Sequence, residues 1–341
     1  MPYPAMMFGQ PPRRSRAGWI IVTLVLLFLL GGSLLLNVIF GIGMAASSVD
    51  GRQISQTTLV DGSSDQQIAV VSLGGVITDE TRQRFDSVFR QIEQNNSLKG
   101  VIIDINSPGG EVTPSDEIYE RISKLKRDHP NLPIAASIRG MGASGAYYAA
   151  CACDHLVAQE TTITGSIGVL WPNYNFSSLM QKYGVTDNTI VSSGAPFKDA
   201  GSSTKAPDPT IDGYLHGLID AEFARFKSVV QKGRGTNLKS NIDEVANGKA
   251  YTSHEAVANG LIDEIGYLDT AISWVAKTAK LNSPQVIYFY QRTSFFDRLP
   301  FGMQHGSPET TVKINGIEVG VDRAMIDRLT HPRPMMIFQP R

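Results

Sequence analysis

The residue types that could do chemistry gather first at Arg139-Gly140-Met141-Gly142-Ala143-Ser144-Gly145-Ala146-Tyr147-Tyr148, an apolar strand end passing through glycines into a small-residue helix. A serine hydroxyl at such a corner can act as a nucleophile once a base takes its proton, so Ser144 is the candidate nucleophile. Glycines at 140, 142 and 145 permit φ > 0 and a close backbone approach, both of which a sharp strand-to-helix turn needs. Upstream, the apolar run Val101-Ile102-Ile103-Asp104-Ile105 ends in Asn106-Ser107-Pro108-Gly109-Gly110, a second glycine loop behind a buried-type strand. If the two loops face each other, the amides of Gly109 and Gly145 can form an oxyanion hole. The competing reading is structural, because serines beside glycines are common in turns.

A serine needs a base, and the sequence holds six histidines. His129, His305 and His331 lie in Pro/Gly-flanked loops, and His216 and His254 fall in helical stretches. His155 is nearest Ser144 in sequence, but it opens a strand. That end lies opposite the carboxyl-end loops where sites of α/β sheets collect, so His155 reads as a solvated histidine. Lysine is the other option, although with an unperturbed pKa of about 10.4 it is a poor base at neutral pH unless an apolar pocket desolvates it.

These residues must be positioned by a sheet. Ile68-Ala69-Val70-Val71-Ser72-Leu73, the run 101–105 and Pro133-Ile134-Ala135-Ala136-Ser137-Ile138 read as strands, and Phe85, Val88, Phe89 and Ile92 recur at helical spacing between the first two. Ile118, Ile122 and Leu125 give the next helix its buried stripe. Strands alternating with helices at this pitch argue an α/β fold with a mainly parallel sheet. Further on, residues 187–191 are strand-like, a long helix covers residues 211–231, and 285–290 is a strand candidate. The tail Met335-Met336-Ile337-Phe338 reads either as a strand completing the sheet or as a segment that docks into a neighbour's peptide groove.

With 31 basic against 32 acidic residues, the chain has no electrostatic footprint for nucleic acid. The two cysteines, Cys151 and Cys153, are one residue apart on a buried-type helix; their side chains point apart there, which suits small core residues better than a bridge. They have no His or carboxylate cluster at ligand spacing beside them, so no metal is expected. Residues 17–49 carry no charge, and Arg13, Arg14 and Arg16 precede them. That run exceeds the roughly 20 residues a bilayer-spanning helix needs. It reads as an uncleaved anchor over 17–46 that contacts membrane lipid, with 1–16 cytoplasmic and the rest of the chain outside. Met44-Ala45-Ala46 leaves cleavage open. Residues 47–67, rich in Ser, Asp, Gln and Gly, read as a solvated linker.

The pieces NSPGG, GMGASGAYYAA, TGSIGV and GLIDEIG, in this order and spacing, resemble the signal peptide peptidase A family of membrane-anchored serine peptidases, over about residues 68–276. The family is related to the caseinolytic protease and crotonase folds, so the resemblance implies a spiral of ββα units. It makes residues 68–280 the peptidase domain and leaves 281–341 as a C-terminal extension of uncertain role. It also implies Lys198, in SGAPFKD, as the general base, and Ser166, in TGSIG, as the hydroxyl that orients the lysine. Peptide substrates, no cofactor and a homo-oligomer with sites at subunit boundaries come with it. Outside the resemblance, Lys198 could be a solvated loop charge and Ser166 a turn-forming serine. Two other readings are a crotonase-like acyl-CoA enzyme, which leaves Ser144 idle, and a catalytically silent membrane scaffold.

Overall fold

The computed structural model describes residues 17–50, 54–291, 310–314, 317–321 and 334–338. The chain divides into two units. The first contains α1 (Ala17–Asp50), a helix of 34 residues. Counting only the side chains that are described in it, at residues 20, 22–35, 37 and 38, no helix is long and apolar enough to cross a membrane.

The second unit begins with β1 (Ile54–Val60) and β2 (Ser63–Gly74), then α2 (Asp79–Glu93), β3 (Leu98–Ser107), the short β4 (Gly109–Glu111) and α3 (Val112–Asp128). β5 (Ile134–Ala143), α4 (Gly145–Ala150), β6 (His155–Ala158) and β7 (Ile163–Gly165) follow. A stretch without strands then carries α5 (Ser177–Lys182) and the long α6 (Pro209–Arg234). After it come α7 (Ile242–Val245), β8 (Ala250–Thr252), α8 (Ser253–Asn259), β9 (Glu264–Ile265), α9 (Leu268–Thr278) and β10 (Pro284–Gln291). β11 (Thr310–Ile314) and β12 (Ile317–Val321) pair with each other, and β13 (Met335–Ile337) pairs with β4.

The expected α/β architecture is present. A nine-stranded sheet runs in the order β1-β10-β2-β3-β5-β6-β9, with β7 beside β5 and β8 beside β7. Every ladder from β10 through β9 is parallel, whereas β1 and β8 pair antiparallel. The period of two along a strand sorts the apolar residues onto two faces. In β2, Ala69, Val71 and Leu73 face the main core, which holds Phe85, Phe89 and Ile92 of α2 and Ile118 and Ile122 of α3. Ile68 and Val70 face the other way and join Ala271 and Val275 of α9. α2 starts where Thr78 caps it by accepting from the Thr81 N–H, and an amphipathic helix with its apolar stripe at 85, 88, 89 and 92 then has one way to lie on the sheet.

Two stretches differ from the sequence reading. Residues 54–60 and 63–67, read as a solvated linker, are strand: β1 pairs with β10, Thr57 opposite Tyr288, and most of β1 is exposed. Polar residues suit an exposed edge strand as well as they suit a tether, and the partner that decides between the two lies far along the chain. Residues 187–191 form no strand. Ile190 is 94% exposed, so the apolar residues there have no sheet to bury them.

The GLIDEIG segment is a structural tie. Arg234, at the end of α6 and buried, donates from Nη1 and Nη2 to Asp263 Oδ2 and Oδ1 at 3.0 and 2.6 Å, and from Nε to the Gly260 carbonyl at 2.9 Å. Asp263 also accepts from the Leu156 N–H at 2.7 Å, which fastens α6 and the β9 segment to β6. Burial pushes the Asp263 carboxyl up, but the Arg234 guanidinium and that amide outweigh it and hold the group below the usual range. Asp263→Asn leaves the Arg234 charge buried without its partner. It is expected to cost about 3 kcal/mol in urea denaturation of the full chain near neutral pH. Because the folded-state pKa is depressed, the gap between wild type and variant is fully open above about pH 4 and closes as pH falls through the folded value. A gap that does not depend on pH rules this account out.

Candidate active site

β5 delivers the chain to the corner and α4 takes it away. Ser144 stands between them with φ 54° and ψ −119°, and it is 1% exposed. A non-glycine residue at positive φ costs about 1–3 kcal/mol and persists only where its surroundings fix it. Here they do. The Ser144 N–H donates to the Gly165 carbonyl at 2.7 Å, and its carbonyl accepts from the Tyr148 N–H at 2.9 Å. Downstream, Ala146, Tyr147 and Tyr148 are buried, and the Tyr147 hydroxyl donates to the Leu261 carbonyl at 2.7 Å. Serine at a helix start ordinarily caps it with its side chain, but the Ser144 side chain makes no capping bond.

The second glycine loop faces this corner. Gly109 has φ 92°, and a Cβ on it would lie 2.6 Å from the Gly145 amide nitrogen and 2.9 Å from the Ala143 carbonyl oxygen. A Cβ on Gly110 would lie 2.0 Å from the Ile77 carbonyl oxygen, and one on Gly145 would lie 2.3 Å from Ser115 Oγ. At Gly109 and Gly110 backbone therefore meets backbone, with no room for side chains. The Gly109 N–H itself donates to Ser107 Oγ at 3.1 Å. That bond occupies the loop amide that the sequence reading assigned to the oxyanion. Its neighbour Gly110 pairs with Met336 of β13.

Ser166 comes out beside Ser144, because Ala143 and Gly165 are ladder partners and each serine follows its strand. It is buried, with φ 50°, and its N–H donates to the Lys249 carbonyl at 2.9 Å. Lys198 is placed differently. It sits on an exposed turn, its N–H bonded to the Ala195 carbonyl at 3.0 Å, and among the described residues no hydrogen bond or ion pair joins its side chain to Ser144 or Ser166. Phe197, expected to wall a pocket, lies exposed against Tyr214, with ring centroids 5.0 Å apart.

His155 is set aside by topology. It pairs with Ala135 at the start of β5, nine residues before Ser144, or about 30 Å along a strand. There it stacks on Trp274, bonds Glu264 at 2.8 Å and approaches Asp263. His305 and His331 lie outside the described residues. Among the described residues no group of three or more His, Cys, Asp or Glu could hold a metal ion. Cys151 and Cys153 are free and buried, and burial pushes the Cys151 thiol up to about 12. Behind the corner, buried Asp104 meets Arg139 Nε at 2.9 Å and accepts from the Tyr288 hydroxyl at 3.0 Å, and burial raises its carboxyl above the usual range.

The backbone at Ser144 yields a test of the strain. Ser144→Gly removes the cost of positive φ, and even after the entropy a glycine adds to the unfolded chain it is expected to be about 1 kcal/mol more stable than Ser144→Ala, which keeps the strain. Chemical denaturation of the two variants measures the difference. A glycine variant less stable than the alanine variant contradicts it.

Residues 126–282 match the peptidase family S49 and residues 63–158 match the Clp protease family; both spans contain Ser144. A chain of Enterococcus faecium assigned as signal peptide peptidase SppA is 35% identical over 257 residues, 72% of this chain and 73% of the relative. The protein slr0021 of Synechocystis sp., assigned as a protease, is 34% identical over 224 residues, 66% of this chain and 78% of the relative. A solved structure of a mutant 1510-N membrane-bound stomatin-specific protease in complex with a substrate peptide superposes with a TM-score of 0.40 at 20% identity, covering 68% of this chain and 94% of that one. The corner serine lies in both matched spans and the glycine loop in the second, and the relatives align over most of the chain: the chain belongs to peptidase family S49 and is a serine endopeptidase.

Proposed function

We propose that Ser144 is the nucleophile of a Ser/Lys-dyad endopeptidase, that Lys198 takes and returns its proton, and that Ser166 orients the lysine. The observation that carries this is Ser144 itself, buried at positive φ with an uncommitted capping role and opposite a loop whose Cβ positions are closed to side chains. The amides of Gly145 and of the Gly109-Gly110 loop hold the oxyanion, with Gly110 as the donor on that loop. Apolar peptides near a membrane are the substrates, as the name of the Enterococcus relative suggests. α1 anchors the chain in the bilayer. Its 34 residues rise about 51 Å, more than the roughly 30 Å of hydrocarbon, and residues 17–49 are uncharged behind Arg13, Arg14 and Arg16. By the positive-inside rule the first sixteen residues are cytoplasmic and the catalytic unit is extracytoplasmic.

Lys198 reaches the serine of another protomer. Its own turn is exposed, and the stretch around it presents Tyr174, Leu179, Tyr183, Ile190, Phe197 and Tyr214 to solvent, a run of large apolar side chains that suits burial between copies of the chain. Such a site exists only in the assembled homo-oligomer, and neither partner residue is usable alone.

Ser144→Ala and Lys198→Ala are each expected to abolish peptide cleavage while leaving the chain folded, since dyad members act as a unit. Retention of more than about a tenth of wild-type kcat by Lys198→Ala, less than about 1.4 kcal/mol on the barrier, removes lysine from the base role. Co-assembling the two dead variants tests the sharing. Some activity returns if a serine of one protomer meets a lysine of another, and verified mixed oligomers that stay silent place each dyad within one chain.

A further inference from the structure

The residues that follow Lys198 fold back into a clasp. Bonds from the Lys198 N–H to the Ala195 carbonyl, from Ala200 to Phe197 and from Ser202 to Asp199, at 3.0, 3.1 and 3.0 Å, make successive turns, and Gly201 takes φ 82° within them. The far end is fastened to two distant stretches. The Phe176 N–H donates to the Ser203 carbonyl at 2.6 Å, and Asn175 Nδ2 donates to the Lys205 carbonyl at 2.7 Å. The Thr204 hydroxyl donates to Asp187 Oδ2 at 2.6 Å, while Asp187 Oδ1 accepts from the Thr189 N–H at 2.8 Å. Those bonds, from Thr189 first and Thr204 second, hold the Asp187 carboxyl down at about 2. Asp187 thus stays ionised and keeps its grip on the clasp at any working pH.

The clasp decides where the charge next to Lys198 goes. Asp199 follows that lysine directly, and a free carboxylate there would favour the ammonium form, which cannot accept a proton. Asp199 is instead paired with Lys205 Nζ, both side chains half-buried. The Asp199 carboxylate in turn holds the Lys205 ammonium above its usual range, so the pair stays charged from neutral pH up to about pH 10. Asp187 is the other charge that bears on Lys205. From the side of α6, Tyr214 packs on Phe197, and a Cβ on Gly201 would lie 3.9 Å from Leu215 Cδ1. Asp208, which caps α6 by accepting from the Thr210 N–H, and Asp212 in its first turn are both exposed. Among the described residues Lys198 itself enters no ion pair.

We propose that Lys205 is a positioning residue for the reaction: it draws the Asp199 carboxylate off Lys198 and neutralises it, so that Lys198 can give up its proton nearer neutral pH. The proposal rests on Lys198 as the base. Lys205 acts through charge alone and touches neither the substrate nor the reacting atoms. Because Lys198, Asp199 and Lys205 share one turn of one chain, the arrangement travels with the base to whichever serine it serves. Asp187 gains a task as well. It heads the stretch that forms no strand, and through Thr204 it keeps Lys205 in reach of Asp199.

The test is the profile of kcat/KM from about pH 6 to 10 for a quenched fluorescent peptide of apolar residues, cleaved by the full chain in detergent micelles. Lys205→Gln frees Asp199 and is expected to move the midpoint of the rising limb up by about one pH unit. Activity below both midpoints then falls about tenfold, and the plateau at high pH is kept. Lys205→Arg keeps the pair and the wild-type profile. Asp199→Asn combined with Lys205→Gln removes both charges and brings the midpoint back to the wild-type value. A Lys205→Gln midpoint that does not move overturns the proposal, and so does a double variant that stays as shifted as the single one. Activity lost at every pH makes Lys205 a tie of the fold only and overturns it too. Lys198→Ala separates the two readings: if it keeps the wild-type profile, the base assignment falls and takes the proposal with it, whereas a silent Lys198→Ala beside an unmoved Lys205→Gln sinks the proposal alone.

Discussion

Three stretches of backbone approach one another at Gly109, Gly110 and Gly145 more closely than any side chain allows, and the rest of the unit is arranged to let them. The positions a Cβ would take at Gly109 and Gly110 lie 2.6 Å from the Gly145 nitrogen and 2.0 Å from the Ile77 oxygen. For the loops to meet there, β3 and β5 must be neighbours and parallel, and both must end at the same edge. Their ladder supplies this, with an irregularity after Ile105 that sets Ser107 opposite Gly142. The parallel order of the sheet is thus the condition for two turns distant in sequence to present amides to one point.

Polar ties hold the elements around that point. The Arg234–Asp263 fork fixes α6 to the β6–β9 edge from within the core, and Asp104 with Arg139 and Tyr288 joins β3, β5 and β10 behind the corner. Ion pairs buried as Arg234–Asp263 is contribute little net stability, because desolvation offsets most of the attraction, but breaking one half is costly. They specify position more than they add stability. That accounts for GLIDEIG and for the arginine that opens the RGMGAS corner without giving either a part in bond cleavage.

Much of this was legible in the sequence because the signals are local. The apolar alternation of residues 68–73, the stripe 85, 88, 89 and 92, and the glycines on either side of Ser144 each report on neighbours a few residues away. What was not legible depends on distant partners. Residues 54–60 mix polar and apolar types without a clear pattern, and the ladder with β10 makes them strand. The bond from the Gly109 N–H to Ser107 Oγ depends on how the loop closes on itself, which residue spacing does not disclose. The tail was read as a strand completing the sheet or as a segment for a neighbour's groove, and its pairing with β4 sets it off the main sheet.

The way β4 pairs also limits the conformation a ligand can have there. Main-chain donors and acceptors spaced along Pro108, Gly110 and Val112, with Leu170 on the far side, match only a backbone that is pulled straight. A coiled segment satisfies its own amides internally and offers none to this rail. Any apolar peptide that is helical in lipid must first unwind over the stretch that enters, trading i to i−4 bonds for inter-strand ones. Residues that favour helix would then slow its entry, and β-branched or aromatic ones would hasten it, whatever the side chain at the cut.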